Sequence, residues 1–268
     1  MGTRRGLNRD GTIAREGSLA RVPPAFAPVV DAVRARVPRV FGDRLHSAYL
    51  YGSIPRGTAV PGVSDLDLLA VLAEEPTGTD RSRAAALGEE IDTAFAQVDG
   101  AGVLVSGVGT LLSDLERHDG GFFVACLCTP LLGPDLAERL PPYRPTSLLA
   151  RETNGDLHTA LARWRREARA ARTDAERRSL CRRVTRRVVR TGFTLVMPRW
   201  GGWTSDLDES AEVFGRYYPA RARPMRFAAT AARTPRSATD VVEEVLGDLA
   251  PWLADEYTAV HGRKQARG

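Results

Sequence analysis

The segment over residues 50–70, LYGSIPRGTAVPGVSDLDLLA, constrains the fold of this chain more than any other part of the sequence. Its first residues complete an apolar strand, predicted over residues 46–51, which closes at Gly52, and Ser53 begins a helical turn. A loop with proline and glycine follows. The next strand, Leu66–Leu72, is nearly all apolar, as suits a strand that is buried on both faces. The pattern therefore predicts two strands joined by a tight turn, a short helix and a loop.

The residue types in this segment suit phosphate chemistry. Glycine at position 52 lets the backbone come close to a bulky phosphate, and Ser53 offers a hydroxyl and free N–H groups at a helix start. Asp65 and Asp67 are two residues apart, so their side chains point to the same face of the strand. Two neighbouring carboxylates repel each other unless a cation neutralises them, and Mg²⁺ held by carboxylates and substrate phosphates does so. The motif predicts a magnesium–nucleotide site, with two ions that polarise the α-phosphate.

The spacing of this motif resembles a known signature. The motif consists of a hydrophobe followed by Gly-Ser, then eleven residues, then Asp-hydrophobe-Asp-hydrophobe. This arrangement is similar to the pattern of the DNA polymerase β-like nucleotidyltransferase superfamily. The fuller string GSxxRG…SDLDL resembles the minimal and antibiotic-modifying branches of that superfamily. The resemblance implies that Gly52 and Ser53 hold the triphosphate of ATP while Asp65 and Asp67 bind Mg²⁺. Arg56 stands in the RG pair that many members share, and it either contacts phosphate or braces the loop.

Members of this superfamily that catalyse transfer usually add a third carboxylate from a later strand, which binds metal or deprotonates the acceptor hydroxyl. The strand expected here, over residues 102–107, contains no acid. Asp99 lies just before it, and we expect Asp99 to complete a catalytic, metal-binding set with Asp65 and Asp67. The alternative is a simple turn residue, because Asp-Gly is a common turn dipeptide. In that case the protein would be slow or catalytically inactive.

The chain divides into three segments by composition. Residues 1–22 are polar, rich in glycine and arginine and without periodicity, which predicts a mobile tail. Residues 23–140 alternate strand and helix patterns, whereas residues 141–268 follow a proline-rich connector and are almost wholly helical. The predicted fold class is α+β: a small mixed-sheet nucleotidyltransferase domain followed by an all-α helical-bundle domain.

Apolar periodicity places further elements in both domains. In the first domain it predicts helices over residues 25–41 and 81–98, and strands over 102–107 and 122–128. The last of these strands carries Cys126 and Cys128 as small buried hydrophobes, since three cysteines without ligands nearby argue against disulfides and zinc. In the second domain the predicted helices are 147–171, with a break at Asn154-Gly155, then 175–196, 205–218 and 238–261.

The helical half carries candidate acceptor-binding residues. The two-domain layout resembles streptomycin/spectinomycin adenylyltransferases, and WTSDLDESAEVFGRYYP is similar to the helix that presents acids to the drug in that group. Asp208 and Glu212 share a helix face and would suit an aminoglycoside or polyamine cation. The alternative is a solvated acidic helix start. Trp203 either stacks on the substrate or packs in the core.

An arginine stripe in the helical half is a candidate for phosphate binding. Arg183, Arg187 and Arg190 share one helix face, and guanidinium groups pair well with phosphate oxygens. Arg187 and Arg190 are therefore assigned to the β- and γ-phosphates of the nucleotide. The alternative is a solvated helix face, which is the commoner role of a charge run.

These features together predict a magnesium-dependent enzyme that moves AMP from ATP to a hydroxyl of a small molecule and releases pyrophosphate. An aminoglycoside acceptor would make it an antibiotic-resistance enzyme. The alternative is an antitoxin-like or degenerate nucleotidyltransferase that binds or AMPylates a protein partner. The net charge of +5 suits a polyanionic ligand, but the chain lacks the aromatic-rich surface or long basic tract of a nucleic-acid binder. No stretch is apolar enough to cross a bilayer or to form a secretory signal, which predicts a cytoplasmic protein.

Overall fold

The structure is a computed structural model that describes residues 5–264, and it divides the chain into two compact units. One unit is Ala14–Tyr143. The other joins the residues up to Ile13 with the residues from Arg144 onward. The predicted α+β fold class is confirmed, because the first unit is built on a mixed sheet and the second is helical. In the described part of the chain, no helix is both long and apolar enough to span a membrane.

A four-stranded mixed sheet forms the centre of the first unit. Its strands are β1 (Leu45–Tyr51), β2 (Leu66–Leu72), β3 (Ala101–Gly107) and β4 (Cys128–Leu132), in the order β3-β2-β1-β4. β1 pairs antiparallel with both β2 and β4, and β2 pairs parallel with β3. The predicted strand over residues 66–72 is confirmed, and those over 46–51 and 102–107 are confirmed to within one residue.

Helices cover one face of this sheet. α1 (Ala27–Phe41) and α3 (Gly78–Ala94) pack on the face that carries the buried side chains of Leu66, Leu68 and Leu72. Side chains alternate along a strand, so Leu69 and Val71 face the other side, in a smaller cluster with Tyr49. Asp67 belongs to that second face. It therefore lies on the side of the sheet opposite α1 and α3.

Three short helices connect the strands of this unit: α2 (Ser53–Arg56), α4 (Val108–Leu111) and α5 (Gly120–Phe122). The predicted strand over residues 122–128 is wrong, because α5 continues into a π-helical turn, Phe123–Leu127, and only Cys128 begins β4. Val124, Cys126 and Cys128 are buried in either conformation, so alternating burial could not separate a strand from this turn. Burial raises the pKa of Cys126 to about 12 and the pKa of Cys128 and Cys181 above the ordinary thiol value.

The second unit is a set of helices. They are α6 (Ser147–Asn154), α7 (Leu157–Ala170), α8 (Asp174–Trp200), α9 (Leu207–Tyr217), α10 (Ala222–Arg233), α11 (Asp240–Glu244) and α12 (Ala250–His261), with a π-helical turn, Val245–Leu249, between α11 and α12. The break after Asn154 is confirmed, because α6 ends there and α7 begins at Leu157. Sequence analysis missed α10.

The N-terminal segment differs from the predicted mobile tail. Residues 1–4 lie outside the described part of the chain, but residues 5–22 make specific contacts. The guanidinium of Arg15 pairs with Asp135 at 2.7 Å, and the backbone amide of Ser18 donates to the carbonyl of Pro55 at 2.9 Å. These partners are far away in sequence, so the local composition gave no sign of them. The first compact unit accordingly begins at Ala14 rather than at residue 23.

Candidate active site

The turn after β1 is shaped by a glycine. Gly52 has φ 80° and ψ −151°, a left-handed conformation that L side chains rarely adopt, and Ser53 begins α2 directly after it. Tyr51, the residue before the turn, pairs with Asp67 across the sheet. A Cβ built on Gly52 would overlap the carboxylate of Asp67. The Gly-Ser turn and the Asp67 carboxylate are therefore in direct contact distance, as the sequence motif predicts.

The two aspartates lie where the second strand begins. Asp67 is within β2, and Asp65 precedes its first residue. The carboxylate of Asp65 lies 3.9 Å from the position that a Cβ on Gly100 would take, at the start of β3. Hard carboxylate oxygens of this kind suit Mg²⁺, and glycine at positions 52 and 100 keeps a Cβ away from them at these two places. The donor set therefore fits a magnesium ion shared with phosphate oxygens.

Asp99 lies in the turn that enters β3. Its backbone amide donates to the carbonyl of Ser64 at 3.1 Å, so the two turns that precede β2 and β3 are joined there. Within residues 5–264 no group of three or more His, Cys, Asp or Glu side chains is arranged to hold a metal ion. Asp67 lies in β2 and Asp65 directly before it, and the backbone of Asp99 is bonded to Ser64, the residue that precedes Asp65.

The residue beside Asp67 on the neighbouring strand is a glycine. The parallel register of β2 and β3 pairs Asp67 with Gly102 and Leu69 with Leu104, so Gly102 faces the same side of the sheet as Asp67. Gly102 is exposed, and a Cβ built on it would meet nothing closer than the carbonyl of Leu66 at 4.0 Å. The sheet therefore offers space, but no carboxylate, at this position. The sequence alone could not show that Gly102 lies beside Asp67, because the register between β2 and β3 is set by strand pairing and not by a local pattern.

Arg56 has a protein partner that sequence analysis missed. Its guanidinium lies 3.4 Å from the carboxylate of Glu16, which is largely buried, with a side chain 13% exposed. The backbone amide of Glu16 donates to the carbonyl of Cys126 at 2.9 Å, which fixes the segment against the π-helical turn. Of the two roles left open for Arg56, this ion pair favours bracing of the loop. Glu16 stands in a polar segment without periodicity, so no signal in the sequence points to it.

The arginine candidates of the second unit lie on α8. The guanidinium of Arg187 forms an ion pair with Asp156 and donates to the carbonyl of Thr153 at 3.3 Å. Arg190 is exposed one turn further along. Arg187 is therefore held by α6 and the turn that follows it, so a phosphate would have to compete with Asp156 for this guanidinium.

The acidic candidates of the second unit lie on α9 and are paired with arginines of α10. Asp208 is 2.9 Å from Arg233, and Glu212 is 3.7 Å from Arg226. Both carboxylates remain more than half exposed, so the pairs are weak and open to exchange. Trp203 is 9% exposed, and its ring packs edge-on against Phe193 with the centroids 5.7 Å apart. Its surroundings are those of a core side chain.

The chain is similar to known proteins in sequence over part of the first unit and in fold over most of its length. Residues 30–98, which include the Gly-Ser turn, Asp65 and Asp67, match the family model described as a nucleotidyltransferase domain. Ten chains of solved structures match the fold. One is spectinomycin adenyltransferase AAD(9) from Enterococcus faecialis, in a crystal structure with ATP and spectinomycin. Its TM-score is 0.50 at 13% identity, over 86% of this chain and 98% of that chain. None of the curated proteins matches the sequence significantly.

Proposed function

Taking residues 30–98 as a nucleotidyltransferase domain, we propose that the protein transfers AMP from ATP to a hydroxyl of a small molecule and releases pyrophosphate. The reaction depends on Mg²⁺ and takes place in the cytoplasm. The observation that carries this proposal is the contact between the Gly-Ser turn and Asp67, because it brings a phosphate-binding backbone against a carboxylate that can hold a cation. A turn of this kind without an acid beside it would bind an anion but give no means of activating it.

Each residue of the site has a distinct role in the proposal. The backbone of Gly52 and the amide and hydroxyl of Ser53 bind the triphosphate, and Arg56 braces the loop or reaches a phosphate oxygen. Asp65 and Asp67 would hold the magnesium ion or ions, which supply charge neutralisation at the α-phosphate. Asp99 is proposed as the base that accepts the proton of the acceptor hydroxyl. Arg187 and Arg190 are proposed to bind the outer phosphates.

An aminoglycoside-like acceptor is the substrate class that the second unit suits. AAD(9) is named a spectinomycin adenyltransferase, and its fold extends over both units of this chain. Asp208 and Glu212 each form an ion pair with a cationic side chain, an arginine of α10. Ammonium groups of an acceptor would replace Arg233 and Arg226 as partners of these carboxylates. Such an activity would give antibiotic resistance.

A second candidate function is supported by the glycine beside Asp67. With Gly102 in that position, the sheet supplies no carboxylate next to Asp67, and transfer to a neutral hydroxyl depends on Asp99 alone. A site of this kind could bind Mg–ATP with slow turnover. That property suits an antitoxin-like protein that binds or AMPylates a protein partner.

One experiment tests the two candidates together. The protein is incubated with ATP labelled at the α-phosphate and Mg²⁺, first alone and then with aminoglycosides, a candidate partner protein or RNA. Pyrophosphate release with a labelled aminoglycoside supports the first candidate, and label on protein supports the second. Glu212→Gln should raise the KM for a cationic acceptor and leave the KM for ATP unchanged. Tight ATP binding without pyrophosphate release in any mixture would rule out the enzymatic proposal.

A further inference from the structure

The helical unit contains a cavity that no part of the proposed reaction uses. It has a volume of about 370 Å³ and lies among the end of α7, the first turns of α8, α11 and the π-helical turn that follows α11. This volume is within the range of sites that bind small organic molecules. None of the residues assigned above to nucleotide, metal or acceptor lines it.

The sequence makes this cavity by placing very small residues where side chains would otherwise meet. Ala168, Ala171, Ala238 and Gly247 all line it, and none of them has an atom beyond Cβ. A Cβ built on Gly247 would meet nothing within 4 Å. Gly247 stands in the π-helical turn Val245–Leu249, a distortion that is rare and is frequently found at functional sites. The opening therefore results from small residues in three stretches of the chain: the end of α7, the segment before α11 and the π-helical turn.

The inner wall of the cavity is apolar and firmly packed. Leu180, Val242 and Leu246 line it, and each is at most 5% exposed. They come from α8, α11 and the π-helical turn, so the wall is shared by elements that also form the core of the unit. The part of a ligand that fills this space must be apolar, because only apolar surface is transferred favourably from water into contact with these side chains.

The rim of the cavity is positively charged. Arg165, Arg169 and Arg177 line it together with one carboxylate, that of Glu243, and Arg177 is itself paired with Asp174 at 3.4 Å. The guanidinium of Arg165 is fixed in place because it donates to the carbonyl of Leu246 at 3.2 Å. A cationic ligand is repelled by the arginines of this rim, whereas a carboxylate accepts charge-assisted hydrogen bonds from them, which are stronger than the bonds that a neutral acceptor makes.

We infer that this cavity binds an amphipathic carboxylate, with the apolar body against Leu180, Val242 and Leu246 and the carboxylate at Arg165 and Arg169. The inference does not depend on the proposed transferase activity, because it rests on residues of the helical unit alone. Decanoate is a suitable probe, and decylammonium is its counterpart of opposite charge. Binding of each to the full chain is measured by isothermal titration calorimetry and by the shift of Tm.

Two pairs of variants locate the site. Ala168→Phe fills the cavity and should abolish decanoate binding, whereas Ala170→Phe, on the same helix but outside the lining, should leave it unchanged. Arg169→Gln should weaken decanoate binding about tenfold or more, and Arg166→Gln should leave it unchanged. The arginines are exposed, so Arg169→Gln remains informative if Ala168→Phe fails to fold.

The expected result is saturable binding of one decanoate per chain and none of decylammonium. The inference is overturned if decanoate does not bind, if decylammonium binds as tightly, or if Arg169→Gln and Arg166→Gln bind decanoate equally.

Discussion

Single residues decide the geometry of the candidate active site, and Gly52 is the most sensitive of them. Gly52 and Gly62 both have positive φ, 80° and 72°, so alanine at either position carries backbone strain. At Gly52, whose ψ is −151°, this strain is about 1–3 kcal/mol. Only at Gly52 would the new Cβ also overlap Asp67, since nothing lies within 4 Å of the position at Gly62. We expect Gly52→Ala to weaken Mg–ATP binding about tenfold or more in isothermal titration calorimetry, because Asp67 must move.

Gly62→Ala is the matched control for this substitution. It should lower the free energy of unfolding through the strain of a side chain at positive φ, and it should leave Mg–ATP affinity within about twofold. Equal nucleotide affinity in the two variants would show that the contact between the turn and Asp67 does not matter for binding.

The role of Asp99 is a second question at the scale of one side chain. If Asp99 accepts the acceptor's proton, Asp99→Asn should lower kcat about 100-fold or more and leave the affinity for Mg–ATP unchanged. Gly102→Asp in the same background should recover part of the loss, because it places a carboxylate beside Asp67 in open space. An unchanged kcat in Asp99→Asn would make Asp99 a turn residue.

The sequence predicted the residues of this site that are close together along the chain. Gly52, Ser53, Asp65 and Asp67 lie within one strand-turn-strand motif, so their spacing alone brings them together. Glu16 and Gly102 reach the site through long-range pairing, which leaves no local trace. They could be found only from the structure.

A secondary-structure element could be predicted from the sequence where its residue pattern fits only one type of element. β2 is apolar except for Asp67, and its predicted and observed bounds agree. For the π-helical turn Phe123–Leu127 the sequence predicts a strand, because a short apolar run fits either form. α10 was missed because Pro219 and Pro224 interrupt the sequence around its start, although Pro224 is tolerated in the first turn of a helix.

We expect His261, the last residue of α12, to make the stability of the helical unit depend on pH. Burial holds the pKa of His261 below its ordinary value of 6.5. Its Nε2 lies 2.9 Å from the carbonyl of Leu195, and its Nδ1 lies 2.6 Å from the hydroxyl of Ser147. The unfolded chain takes up a proton at this residue more readily than the folded chain. The contribution of His261 to stability is therefore complete above a pH of about 7, and it is lost as the pH falls through 6.5 towards the folded pKa.

Denaturant unfolding at several pH values between about 7.5 and 5 measures this effect. We expect the free energy of unfolding of the wild-type chain to fall with pH over this window, and that of His261→Gln to fall less. Parallel curves for the two proteins would contradict the assignment of this pH dependence to His261.

At the scale of the whole molecule, the division into units makes a prediction about fragments. The contacts of Arg15 with Asp135 and of Ser18 with Pro55 belong to the first unit, so a fragment of residues 14–143 should be more stable than one of residues 23–143. Loss of about 1 kcal/mol from these contacts would lower the Tm by about 4 °C in thermal unfolding followed by circular dichroism. Equal Tm values for the two fragments would show that residues 14–22 add no stability and behave as a tail.

The central claim is that Asp65 and Asp67, beside the Gly-Ser turn, form a magnesium–nucleotide site. Its most direct test is the affinity for ATP with and without Mg²⁺, measured by isothermal titration calorimetry on the wild-type chain, the double variant Asp65→Asn/Asp67→Asn and the control Asp92→Asn, an exposed residue of α3. We predict that Mg²⁺ tightens ATP binding about tenfold or more in the wild type and in Asp92→Asn, and that this gain is lost in the double variant. The same gain from Mg²⁺ in all three proteins would contradict the claim.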